Sequence, residues 1–181
     1  MRGSFDRDAL INLFGELADH LRRDGVRGHI YVIGGAAMAL GYRRRRTTKD
    51  VDAHVMNYGP EHASVMAAVR QIATKHDLPE DWLNETATMF SPRGEDPRAK
   101  TVFSSRYLTV TGASAEHMLA MKLQAGREAD LEDIDTLLTH LGIASREDAL
   151  QIYEQVFPGT PISKEADSHL RARLDRARRD S

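Results

Sequence analysis

The 181-residue chain contains no cysteine, which excludes disulfides, zinc–thiolate centres and thiol nucleophiles together. It has no apolar run near the length of a membrane span, and its first residues lack the apolar core of a signal peptide. The sequence therefore predicts a cytoplasmic protein without a membrane partner. An excess of charge of one sign is also missing: 25 Lys and Arg stand against 27 Asp and Glu, a net −2. That balance argues against a protein that coats nucleic acid by bulk charge, and leaves room for local basic patches. Internal repeats and low-complexity tracts are absent. A hydrophobic share of 41% and a charged share of 29% fit one soluble domain core with a helical extension.

The stretch that organises the rest is His29–Val55, HIYVIGGAAMALGYRRRRTTKDVDAHV. His29–Ile33 is short, apolar and rich in β-branched residues, as a buried strand is. Gly34 and Gly35 break the run, and Ala36–Leu40 has high helix propensity. A strand, a glycine turn and a helix start leave several backbone N–H groups aimed at one spot, where the helix dipole favours phosphate. A basic loop follows, with Arg43–Arg46 and Lys49. Then Asp50–Val55 alternates as a second strand should. Side chains at i and i+2 of a strand share a face, so Asp50 and Asp52 point the same way and can hold divalent cations. This is the layout of a site for metal-dependent phosphoryl or nucleotidyl transfer. Each part also has a plainer explanation: two solvent-facing acids, a turn that needs glycine, a solvated charge run.

Along the rest of the chain, Phe5–Leu21 carries Leu10, Leu13, Phe14, Leu17 and Leu21 at helical spacing, with Gly25 as its stop. Asn57–Pro60 reads as a turn and Glu61–His76 as a helix. Leu78–Lys100 reads as a long irregular loop around the one tryptophan, Trp82. Thr101–Thr111 has strand composition, as two strands or one bent one. Helices follow at Ala115–Gln124 behind the cap Ser114, at Asp130–Leu141, after the cap Ser145, and at Ser163–Arg179, where Arg171, Arg173, Arg176, Arg178 and Arg179 make the helix basic. The expected architecture is α/β, of α+β type: a small mixed sheet with flanking helices in residues 1–113, and a helical part in 114–181.

Gly34-Gly35, a basic spacer, and Asp50-x-Asp52 on a strand resemble the signature of the DNA polymerase β-type nucleotidyltransferases. The detail, GGAAMAL followed by R-x-T-x-D-V-D at Arg46–Asp52, resembles the AbiEii/MenT-like branch, which includes bacterial toxin nucleotidyltransferases. Aminoglycoside and lincosamide nucleotidyltransferases carry a similar first motif. The resemblance implies that Asp50 and Asp52 are catalytic ligands of Mg²⁺ or Mn²⁺ and that Gly34 and Gly35 cradle the phosphates of an NTP. It places Arg46, Lys49 and Arg127 among the nucleotide contacts. The segment AMKLQAGREADLEDI is similar to the branch's downstream motif, which implies that Lys122 contacts phosphate and that Asp130 or Asp133 completes the polar site. From residue pattern alone, Lys122 is a lysine with a buried stem, and the two acids are the start of a helix. Relatives often have serine where Gly35 stands, so any phosphate contact at Gly35 comes from its backbone N–H. Polymerase-like members also carry a third carboxylate on a later strand; Thr101–Thr111 offers none. The function implied is transfer of an NMP to an acceptor hydroxyl. In the toxin branch that acceptor is the 3′ end of tRNA, and a cognate antitoxin is the partner. An antibiotic-modifying enzyme and a non-catalytic, antitoxin-like nucleotide-binding module are the alternatives.

Overall fold

The computed structural model describes residues 4–43, 46–87, 91–92 and 94–179. Of the residues singled out above, Arg44, Arg45 and the side chains of Arg176, Arg178 and Arg179 lie outside those described. The chain divides into two compact units, one of residues 1–89 and 98–113, the other of residues 90–97 and 114–181.

The first unit is built on a sheet. Helix α1 (Arg7–Asp24) starts where the Asp6 side chain accepts the Ala9 N–H at 2.8 Å, and ends at Gly25 in the left-handed region. The strands are β1 (Gly28–Val32), β2 (Val51–Val55), β3 (Leu83–Asn84), β4 (Lys100–Ser104) and β5 (Leu108–Gly112), in spatial order β3-β2-β1-β5-β4. β1 pairs antiparallel with β2 (Tyr31 opposite His54) and parallel with β5 (Tyr31 opposite Thr111). β2 pairs parallel with β3, with Asp52 opposite Asn84, and β4 runs antiparallel to β5. Two further helices, α2 (Gly34–Gly41) and α3 (Gly59–His76), follow β1 and β2. The period of two sorts the faces. Ile30, Val32, Val51, Ala53, Val55, Leu108 and Val110 are buried, on the side where α1 and α3 pack. Tyr31, Asp52, His54, Thr109 and Thr111 are half-exposed on the other.

Three sequence expectations shift. The first helix begins at Arg7, because Phe5 leaves it to form a backbone bridge with Thr48. The second strand begins at Val51, so Asp50 precedes it. The stretch 78–100 is not wholly irregular, since it supplies β3. Its Trp82 is fully buried, donates its indole N–H to the Val69 carbonyl at 3.0 Å, and accepts the Val51 N–H on its own carbonyl at 2.7 Å. Anchored on α3 in this way, the tryptophan brings β3 alongside β2.

The second unit is helical: α4 (Ala115–Ala125), a 3₁₀ turn at Glu128–Asp130, α5 (Leu131–Leu141), α6 (Arg146–Val156) and α7 (Lys164–Arg179). Ser114 and Ser145 cap α4 and α6 as read from the sequence. α4 is the centre, packed on α5, α6 and α7, with Met118, Leu119 and Leu123 buried. No helix among the described residues is long and apolar enough to cross a membrane.

Candidate active site

The site begins where β1 gives way to α2. Ile33 donates its N–H to the Asp52 carbonyl at 2.9 Å, which carries the β1–β2 pairing to the level of Asp52. Gly34 then turns into the left-handed region, with φ +62°. A Cβ on Gly34 would lie 2.9 Å from Asp52 Oδ2; one on Gly35 would lie 2.6 Å from Thr48 Oγ1 and 4.0 Å from Arg46 Nη2. A side chain at either position would force its neighbour to shift, and at Gly34 the backbone conformation favours glycine as well. The turn is therefore pressed against a carboxylate, a hydroxyl and a guanidinium. Ile33 holds the N-cap position and offers no side-chain oxygen, and first-turn N–H groups without a capping side chain suit an anion. Gly34→Ala forces both φ and the Asp52 contact, with an expected loss of roughly 1–3 kcal/mol of stability and of transfer activity. Chemical denaturation beside an activity assay checks it; wild-type values in both would separate the turn from the site.

Of the residues expected here, the structure gathers Gly34, Gly35, Arg46 and Asp52. Asp50 lies one residue ahead of β2, exposed, its carbonyl accepting the Thr48 hydroxyl at 3.0 Å. Lys49 is exposed in the same bend. His54 shares the Asp52 face and meets Tyr31 edge-on, with ring centroids 6.0 Å apart. Burial pushes its imidazole below the usual histidine range, with the Glu85 charge opposing. On β5 the face positions are Thr109 and Thr111, so no third carboxylate stands there. Among the described residues no group of three or more His, Asp or Glu side chains gathers around one point.

In the helical unit, Lys122 is buried, with Nζ 2.6 Å from Asp130 Oδ1 and 2.8 Å from Asp133 Oδ2. Asp133 is fully buried on the first turn of α5. These three expected residues come together, and Arg127 lies exposed just before the 3₁₀ turn. Residues that sequence reasoning passed over include Asp96. Its carboxylate accepts the Ser114 N–H at 2.7 Å and lies 3.3 Å from His117 Nδ1, pinning the preceding loop to the start of α4. Two arginines of the basic helix are engaged within the unit: Arg173 with Asp135, and Arg171 with Asp167.

The sequence profile of a family described as nucleotidyltransferase of unknown function (DUF6036) matches residues 8–141. The chain belongs to that family. The matched span takes in α1 to α5, and with them the glycine turn, Asp50, Asp52, Lys122, Asp130 and Asp133; α6 and α7 lie beyond it. No curated protein and no solved structure matched. The nucleotidyltransferase thus has a mixed α+β fold whose five-stranded sheet carries the glycine turn and the aspartate strand side by side.

Proposed function

We propose that this nucleotidyltransferase moves an NMP from an NTP to an acceptor hydroxyl, with Mg²⁺ or Mn²⁺ held at Asp50 and Asp52. The observation that carries the reading is the contact of the glycine turn with Asp52, with Arg46 alongside. Phosphate drawn to the helix start would sit near the negative charge of Asp52, and a divalent cation would offset that repulsion. The donor set fits such an ion, since oxygen ligands from two carboxylates, completed by phosphate oxygens and water, are what Mg²⁺ takes. Gly34 and Gly35 let the backbone approach the phosphates and donate N–H groups to them. Arg46 and Lys49 offset their charge, and Asp50 and Asp52 would hold the cation. When bound, the cation neutralises the phosphates and activates the acceptor hydroxyl. The acceptor oxygen bonds to the α-phosphorus. The bond from that phosphorus to the bridging oxygen breaks, pyrophosphate leaves with the electron pair, and the hydroxyl proton passes to water.

Two carboxylates make a weak cation site until phosphate oxygens join them. Mn²⁺ is therefore expected to bind the free protein poorly, and at least about tenfold more tightly with a non-hydrolysable NTP analogue present. Titration by electron paramagnetic resonance checks this; equal affinity with and without the analogue would put the ion elsewhere.

The reading extends to the AbiEii/MenT-like branch. The acceptor is the 3′ end of tRNA, and the chain is a growth-inhibiting toxin restrained by a cognate antitoxin. Its support is the R-x-T-x-D-V-D stretch and the basic residues that precede Asp50 in the sequence, which suit an RNA backbone. The ion-paired Arg171 and Arg173 do not add to it. One observation favours a second reading, a non-catalytic nucleotide-binding module: polymerase-like relatives carry a third carboxylate on a later strand, and Thr101–Thr111 offers no acid. The deciding experiment incubates the protein with Mg²⁺, each labelled NTP and, in parallel, total bacterial tRNA, an aminoglycoside or a lincosamide. Label on tRNA that is lost with Asp52→Ala supports the proposal. Label on an aminoglycoside or lincosamide instead makes it a resistance enzyme, and NTP binding without transfer supports the module.

A further inference from the structure

We infer that Thr48 is a positioning residue for the transfer reaction, its hydroxyl fixing the backbone of Asp50 against the glycine turn. The inference rests on the proposed metal site at Asp50 and Asp52. Asp50 is exposed and stands outside β2, so the strand ladder alone does not hold it, yet a two-carboxylate cation site needs both carboxylates in a set direction. Thr48 supplies the constraint through three sets of contacts. Its backbone forms a two-bond bridge with Phe5, with Phe5 N–H to Thr48 carbonyl at 2.6 Å and Thr48 N–H to Phe5 carbonyl at 2.9 Å. Its hydroxyl donates to the Asp50 carbonyl at 3.0 Å. Its Oγ1 and Cβ lie 2.6 and 3.3 Å from the place a Cβ on Gly35 would take, so the threonine side chain lies flat on the turn.

The bridge is itself anchored. Phe5 is buried and packs edge-on against Trp82, with ring centroids 6.1 Å apart, and the Trp82 carbonyl holds the Val51 N–H. Asp50 is thus suspended between two fixed neighbours, Thr48 tied to Phe5 and Val51 tied to Trp82. Among the described residues, the hydroxyl is the side-chain bond in that suspension that reaches Asp50 itself. β-Branching stiffens χ1, which suits a side chain that must hold one direction between the turn and the bend. Thr48 touches none of the reacting groups in this scheme; it acts through Asp50.

The test compares Thr48→Val, which keeps shape and branching and removes the hydroxyl, with Thr48→Ser, which keeps the hydroxyl, and with Asp52→Ala. Transfer is measured against Mg²⁺ and against NTP, and NTP-analogue-dependent Mn²⁺ binding is measured on the same proteins. Misdirecting one of two carboxylates is expected to lower kcat by about 10- to 100-fold in Thr48→Val. The Mg²⁺ concentration at half-maximal rate should rise several-fold, and KM for NTP at saturating Mg²⁺ should hold. Thr48→Ser should return kcat to within about threefold of wild type. A purely structural role would lower the melting temperature without moving the metal dependence. The inference is overturned if Thr48→Val keeps wild-type kcat and Mg²⁺ dependence, or if Thr48→Ser is impaired as much as Thr48→Val. Should wild type show no transfer, the Mn²⁺ titration decides, with weaker binding in Thr48→Val alone supporting the inference and equal binding overturning it. Asp52→Ala with full transfer or full Mn²⁺ binding signals failure of the metal-site reading itself, and the inference falls with it.

Discussion

Asp52→Asn is expected to abolish nucleotidyl transfer while the protein stays folded. The substitution keeps the shape of the side chain, which matters because Oδ2 fills the space a Cβ on Gly34 would need, 2.9 Å away. It removes the charge. Asp52 is half-exposed on the open face of β2 and opposes Asn84 on β3, so the core beneath, built from Val51, Ala53 and Val55, is untouched. Loss of a charge beside a helix start changes stability by at most about 1 kcal/mol. Loss of an anionic ligand from a site with two carboxylates removes much of the electrostatic stabilisation of the transferring phosphoryl group, and a fall of at least about 10³-fold, ~4 kcal/mol of barrier, is expected. Label transfer under saturating Mg²⁺ and NTP checks the rate, and thermal unfolding checks the fold. Transfer surviving at the wild-type rate would remove Asp52 from the metal site and, with it, the proposed chemistry.

Local pattern made Asp52 and the glycine pair readable, and distance in sequence hid what surrounds them. Alternation along Val51–Val55 assigns the Asp52 and His54 face without any knowledge of the partner strands, and two adjacent glycines after an apolar run announce a tight turn. The same logic exposed the caps Ser114 and Ser145, whose partners lie within one helical turn. Phe5, by contrast, looks like the first apolar residue of α1. Only a bridge to Thr48, far along the chain, draws it away. β3 is two residues long, too short for any period to show, and depends on Trp82 docking against α3. Asp96 is one of several acids in an irregular stretch, and nothing in the sequence says that it accepts the Ser114 N–H at the start of α4. The basic helix shows the opposite failure. In sequence its arginines make the helix basic, yet Arg171 and Arg173 meet acids within the helical unit. Composition counts charges without their partners.

Lys122→Met is expected to be the most destabilising of the changes considered. Lys122 and Asp133 are 7% and 0% exposed, and the ammonium lies 2.8 Å from Asp133 and 2.6 Å from Asp130. Removing the lysine takes the ammonium away from a carboxylate inside the helical core, at about 3–5 kcal/mol. For a chain of this size that lowers the melting temperature by roughly 10 °C. Asp130 lies nearer the rim, its side chain 16% exposed, and reaches water when the pair is broken; Asp133 does not. Adding Asp133→Leu should therefore restore most of the loss, since apolar replacement of a buried ion pair is close to neutral. A double variant as unstable as the single one would show that the damage is to packing around α4. The stabilised double variant also isolates the nucleotide role that resemblance assigns to the lysine. An ammonium already held by two carboxylates has little charge to spare for phosphate. A KM for NTP raised about tenfold, or ~1.4 kcal/mol, in that variant would mean that Lys122 reaches phosphate despite its acids. An unchanged KM would mean that the buried cluster exists to hold α5 against α4.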